Sequence, residues 1–338
     1  MQWQLPISIK SPDKLIKYGE RILLVGSCFT EHIGSGLEEL KFSVLQNPHG
    51  ILFGPDAVCQ AIDSYIDNKP YTPEDLFFWQ ESWHSWDHHS RFSNTDKEQC
   101  LLAINSAQQQ AHQFIEKADW LIVTLGSSFC YRLTKEAEKA SHQVGQGVAN
   151  CHRAPQQWFS KELLSVSEIV ALLKNSFLNF YRLRPQARIV VTISPVRHSR
   201  DGLVENNRSK ARLFEALQQL QEQQVPFYYF PAYELVVDVL RDYRFYDIDL
   251  VHPNFAATSY VLEQFKEHCL SQESLSIAEQ IKKLVMAMRH RPRQPNTQQH
   301  LQFLKQHYVL AQSLQGQFPE IDLQQELSYF KSATSSNA

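Results

Sequence analysis

A chain of 338 residues has room for one large domain or two and can bury a core without disulfide or metal staples. With 43% apolar and 20% charged residues it is composed like an ordinary globular protein, which excludes a disordered or fibrous chain. Lys and Arg number 33 against 36 Asp and Glu, so a formal charge of −3 leaves no basic excess with which to grip a nucleic acid.

Further exclusions come from particular residues. Cys28, Cys59, Cys100, Cys130, Cys151 and Cys269 form no C-x-x-C pair, which argues against a zinc ribbon or a disulfide framework. The start, MQWQLPISIKSPDK, has no basic stretch leading into an apolar one, and no apolar run reaches the ~20 residues that span a bilayer. The expectation is a cytoplasmic protein with no membrane partner, no metal and no cofactor.

In chain order, RILLVGS (21–27) is the first of four short aliphatic or β-branched runs. ADWLIVTLGSS (118–128), ARIVVTISPV (187–196) and VPFYYFPAYE (225–234) are the others. Each is continuous rather than alternating, as in strands buried on both faces. Helical patterns separate them: residues 27–40, 100–118, 165–183 and 208–224, the third opening with a capping box at Ser165 and Glu168. Strand and helix alternate, so the pattern predicts a parallel sheet covered on both sides. Two stretches break the rhythm. Residues 64–100 are crowded with aromatics and histidines, and residues 131–164 read as a long loop; both are expected insertions in a domain covering 1–270. Residues 271–338 are predicted to form a helical appendage.

Ligands of an open parallel sheet sit beyond the carboxyl ends of its strands. There the first run turns into a helix through Gly26, Ser27 and Cys28. Ser27 has two readings: a side chain that caps the helix, or a nucleophile placed where unpaired backbone N–H groups favour developing negative charge. Cys28 is a rival nucleophile, but it reads better as a small apolar residue packed on the sheet. Near the end of the core, Asp249 and His252 are three apart in a loop expected to end at Pro253, the first position of a helix running to about Leu270. That spacing lets the carboxylate reach the imidazole Nδ1–H and leaves the other nitrogen for a serine. Asp247 competes for the carboxylate role.

Six ordered motifs resemble the GSCFA family. Gly26-Ser27-Cys28-Phe29-Thr30 resembles the motif that names it, with Thr30 replacing alanine. Asn47-Pro48-His49-Gly50-Ile51 resembles its NP-aromatic-GI segment, with His49 where phenylalanine is usual. Thr124-Leu125-Gly126, Asn150-Cys151-His152, Ser194-Pro195-Val196-Arg197-His198 with Asp201-Gly202, and Asp249 to Pro253 follow in order. The family in turn resembles the SGNH (GDSL-like) hydrolases. That resemblance implies an α/β fold, a three-layer α/β/α sandwich around a mainly parallel five-stranded sheet. It also implies a serine nucleophile at Ser27 and an acid–base pair at Asp249 and His252. The asparagine that completes the oxyanion hole in SGNH enzymes is missing from Gly126-Ser127-Ser128-Phe129; Ser128, Asn150, Asn47 or the Gly50 amide could replace it.

Remaining polar clusters have two readings each. Arg197, at the end of the third run with His198, either binds a substrate carboxylate or phosphate or pairs with Asp201. His152 is a second proton-transfer group or a hydrogen-bonded structural histidine. His84 and His88, four apart, would share a helix face suited to a metal, but their interleaved tryptophans read as packing. The expected function is a serine esterase acting on a small-molecule or glycan ester. An O-acyltransferase built from the same parts and a non-catalytic binding protein on a hydrolase scaffold are the alternatives.

Overall fold

The computed structural model describes residues 5–138, 144–294 and 297–335. Regular structure begins with β1 (Arg21–Gly26), α1 (Cys28–Glu39), β2 (Ser43–Gln46) and α2 (Pro55–Asp67). A hairpin of β3 (Leu76–Trp79) and β4 (Ser82–Ser85) precedes α3 (Lys97–Ile115) and β5 (Trp120–Leu125). Then come β6 (Phe129–Leu133), β7 (Gly147–Val148), β8 (Phe159–Leu163), α4 (Val166–Leu183) and β9 (Arg188–Ile193). They are followed by α5 (Leu203–Glu222), β10 (Tyr228–Tyr229) and the one-turn α6 (Ala232–Glu234), which widens into π-helical turns over Leu235–Leu240. Next is α7 (Phe255–Cys269), and α8 (Gln272–Arg289), α9 (Gln298–Gln317) and α10 (Gln324–Ser335) complete the order.

Five strands form one parallel sheet in the order β10-β9-β5-β1-β2. Its central strands are apolar throughout because each face meets a different core. Leu23 and Val25 of β1 point into one core with Val58 and Ile62 of α2, Leu173 and Phe177 of α4, and Leu217 of α5. Ile22 and Leu24 point the other way, onto Phe29, Ile33 and Leu37 of α1 and Val261 and Phe265 of α7. Alternation along one strand thus feeds two layers, which makes the three-layer α/β/α sandwich.

Four expectations change. The fifth strand, β2, lies on the sheet edge and is too short and half-exposed to stand out as an apolar run. The run at 225–234 yields only the two-residue β10 before the chain turns helical. The described part of 131–164 is not a loop but, with β6, a three-stranded antiparallel sheet in the order β7-β6-β8; residues 139–143 lie outside the described ones. Finally, α7 starts at Phe255 rather than Pro253. Asn254 is its cap, with Oδ1 accepting from the Ala257 N–H at 3.2 Å, while Pro253 bridges to Tyr246.

Helices α8, α9 and α10 share a separate apolar cluster that includes Ile281, Leu284, Leu304, Leu314 and Phe330. They meet the sandwich through Tyr18, whose ring stacks on Phe42, and through a Lys41–Glu326 ion pair at 2.8 Å. Among the described residues no helix is long and apolar enough to cross a membrane.

Candidate active site

Ser27 sits where β1 becomes α1, and three neighbours hold its turn. The Gly26 N–H donates to Asn47 Oδ1 at 2.9 Å, the Ser27 N–H to the Thr124 carbonyl at 3.1 Å, and the Leu52 N–H to the Gly26 carbonyl at 2.9 Å. Gly26 has φ +149°, and a Cβ there would lie 2.2 Å from the Thr124 carbonyl oxygen, so only glycine lets β1 and β5 approach this closely. By its backbone Ser27 is the cap of α1, yet its side chain makes no cap bond. Its hydroxyl is buried and without a hydrogen-bond partner among the described residues, and the residue is 1% exposed. The capping reading is therefore not realised.

Cys28 is half-buried rather than packed on the sheet; Phe29, Thr30 and Ile33 take that position as the helix turns. Burial raises its thiol pKa, while the N–H groups of Phe29 and Cys28 oppose the shift. Those amides belong to the first turn of α1, where no intrahelical acceptor exists.

Asp249 and His252 pair as their spacing predicts. His252 Nδ1 lies 2.6 Å from Asp249 Oδ2, and Asp249 Oδ1 accepts the N–H groups of His252 at 3.0 Å and Val251 at 2.9 Å. The His252 N–H, then its imidazole and the Val251 N–H, hold the Asp249 carboxyl down at about 2. Asp247 is engaged through its backbone, its N–H donating to the His252 carbonyl at 2.8 Å. Side chains of the pair remain open to solvent, 48% for His252 and 45% for Asp249.

The loop carrying this pair is tied to the same rim of the sheet as Ser27. The Arg197 N–H, just beyond β9, donates to the Val251 carbonyl at 3.3 Å, and Arg197 Nη1 donates to the Leu250 carbonyl at 3.1 Å. Its guanidinium lies over the rings of Tyr246 and Tyr243, at 4.1 and 5.4 Å from their centroids. It forms no pair with Asp201, which instead contacts Lys161. From the other side, burial lowers the pKa of His32 of α1; Glu31 and then Asp247 oppose this, and His252 adds to it. No hydrogen bond joins Ser27 Oγ to His252.

Other candidate residues are placed as follows. Asn47 (φ +45°) orients the turn through Gly26, and its Nδ2 donates to Glu31 Oε1 at 3.4 Å. The Gly50 N–H is spent on the Asn47 carbonyl at 2.7 Å. Ser128 is also engaged, its hydroxyl donating to the Ser209 carbonyl at 2.8 Å. His198 packs edge-on to Phe53, and burial lowers its pKa to about 4. Asn150 and His152 belong to the antiparallel layer: Asn150 Oδ1 accepts the His152 N–H at 2.8 Å, and His152 Nε2 lies 2.8 Å from the Ser85 carbonyl. Nothing among the described residues links either to Ser27.

The aromatic and histidine stretch forms the β3–β4 hairpin and its flanks. His84 lies on β4, so it shares no helix face with His88; its Nδ1 meets Ser93 Oγ at 2.6 Å and its Nε2 the Trp79 carbonyl at 3.0 Å. Phe77 stacks on Trp86 at 3.5 Å. Among the described residues no cluster of metal-ligating side chains exists.

Sequence reasoning missed Lys210. This residue of α5 is buried, and its Nζ donates to the Gly126 and Ser194 carbonyls at 2.5 and 2.6 Å, clamping the ends of β5 and β9 together. Burial draws its pKa down to about 7, opposed by the Cys28 sulfur. In helix-period reading a lysine is expected on the solvent face, so only the fold exposes its position.

Several solved structures are similar to the chain, among them two esterases. A carbohydrate esterase family 3 from Talaromyces cellulolyticus shares 10% identity over 78% of this chain and 99% of its own, with a TM-score of 0.34. An acetyl xylan esterase (Est2A) from the rumen bacterium Butyrivibrio proteoclasticus shares 12% identity over 75% of this chain and 65% of its own, with a TM-score of 0.36. No curated protein matches the chain. The family model described as GSCFA family matches residues 21–265, and the one described as GSCFA domain protein, C-terminal domain, matches residues 281–335. Spanning most of its length, these matches make the chain a member of the GSCFA family.

Proposed function

We propose that the protein is a serine ester hydrolase, with Ser27 as nucleophile, His252 as general base and Asp249 as the carboxylate that orients it. One observation carries this reading: a serine at a helix start, where capping is the usual use, whose buried hydroxyl has no partner among the described residues. The Asp249–His252 hydrogen bond supports it, because a proton held at Nδ1 leaves Nε2 as a base.

The chemistry then runs in two halves. Ser27 Oγ attacks the ester carbonyl as its proton passes to His252 Nε2. The resulting oxyanion is received at the start of α1 by the Cys28 N–H, since the Ser27 N–H is already spent on Thr124, with the second Nδ2 hydrogen of Asn47 as the side-chain donor. The imidazolium protonates the departing alcohol, leaving an acyl-serine. Water attacks that ester with His252 again as base, and Ser27 is regenerated with release of the acid. Because Ser27 is 1% exposed, an ester reaches it only after the side chains over it shift. The substrate class is a small-molecule or glycan ester. Another hydroxyl in place of water would make the same steps an acyl transfer.

A nitrophenyl acetate assay on wild type and Ser27→Ala tests the reading, with fluorophosphonate labelling of Ser27 as a second measurement. Loss of at least about 10³-fold in kcat with an unchanged fold is expected; equal rates in the two proteins overturn it. A second reading, a non-catalytic ligand-binding protein, is favoured by the missing hydrogen bond between Ser27 Oγ and His252. It predicts no turnover and no labelling by the wild type.

A further inference from the structure

Beside the Asp249–His252 loop, at the end of β9, lies a cavity of about 260 Å³. Arg197, Asn206, Asn207, Lys210, Tyr233 and Tyr243 line it, and none of the ten lining residues among those described is acidic. Two cations therefore share one cavity without a carboxylate. Lys210 has three N–H donors; two go to backbone carbonyls, and the third meets no oxygen or nitrogen acceptor among the described residues, only the Tyr233 ring with its centroid 6.0 Å from Nζ. Arg197 gives one side-chain N–H to Leu250 and otherwise rests on tyrosine rings, forming no ion pair among the described residues. Asp238 and Glu234 act on Tyr233 but do not line the cavity.

A buried ammonium without a counter-charge is costly, and an anion that hydrogen-bonds to it removes the cost. A guanidinium beside it offers paired donors matched to a carboxylate or phosphate. We infer that this cavity binds the oxyanion group, carboxylate or phosphate, of a small ligand between Lys210 and Arg197. The site adjoins the ester chemistry, since Arg197 also ties down the loop of Asp249 and His252, but neither cation takes part in the steps proposed for it. Burial has already drawn Lys210 to about 7, so an arriving anion restores its charge near neutrality.

Calorimetric titration of the full chain with inorganic phosphate and, separately, acetate tests the site. Saturable one-to-one binding of either probe is expected, weakened at least about tenfold in Arg197→Gln and Lys210→Met, the loss of one charge-assisted hydrogen bond. Phosphate binding alone makes the recognised group a phosphate, and acetate binding alone a carboxylate. If Lys210→Met fails to fold for want of its carbonyl clamp, Arg197→Gln decides. Ser27→Ala should bind as wild type does, whether or not the protein hydrolyses esters. No saturable binding of either probe overturns the inference, as does binding unchanged in Arg197→Gln or abolished in Ser27→Ala.

Discussion

Ser27 owes its availability to Gly26, Asn47 and Thr124, which hold the backbone of the turn without calling on the serine side chain. The most sensitive of the three is Gly26. Gly26→Ala forces a methyl group against the Thr124 carbonyl and should cost on the order of 2–4 kcal/mol, read as a lowered urea midpoint. A midpoint within error of wild type would show that β1 and β5 can separate freely. The two acidic candidates also part at this scale. Asp249 accepts from the imidazole and two amides, whereas Asp247 contributes its backbone, so Asp249→Asn should lower kcat by at least about tenfold more than Asp247→Asn. Equal effects would return the carboxylate role to an open contest. Both features were legible in the sequence because each is local: a glycine–serine turn after an apolar run, and two polar residues three apart before a helix. Lys210 and the Arg197 contact with the loop were not, because their partners lie in segments far away along the chain.

Short elements were the least legible. The strands β6, β7 and β8 hold two to five residues and are partly exposed, so no apolar run announces them; their pairing, not their composition, makes them strands. The layers beside them bury several histidines in neutral form. Burial brings His49 and His152 down to about 4 from the usual 6.5, and lowers His88 well below it. With the folded pKa below the unfolded one, the unfolded chain binds more protons between the two values. Stability is then complete above about pH 6.5 and is lost as the pH falls through about 4, by at most roughly 3 kcal/mol for each of His49 and His152. His49→Phe, the residue usual in the motif it resembles, should shrink the difference in urea midpoint between neutral pH and about pH 4. An undiminished difference would assign the acid sensitivity to other groups.

Over the whole molecule, the alternation of aliphatic runs and helices was enough to read a parallel sheet covered on both sides but not its edge strand β2, and the way the last three helices attach was not legible at all. Their attachment includes Glu326, whose carboxylate is almost wholly buried against Lys41. Removing it in Glu326→Ala should loosen α8 to α10 by about 2–3 kcal/mol, the low side of a broken buried pair because Lys41 is partly exposed. Hydrogen exchange along α9 and α10 reads this directly; unchanged protection would mean that the apolar cluster alone holds them. Attachment of another kind joins the two ends of the sandwich: Ile16 runs beside Leu270 as a parallel bridge, its N–H on the Cys269 carbonyl at 2.8 Å. A chain emerging from a ribosome therefore cannot seal this layer until α7 has been made. Until then the apolar face of β1 that α7 covers waits for a partner, which makes synthesis the interval when aggregation threatens and a chaperone is of most use.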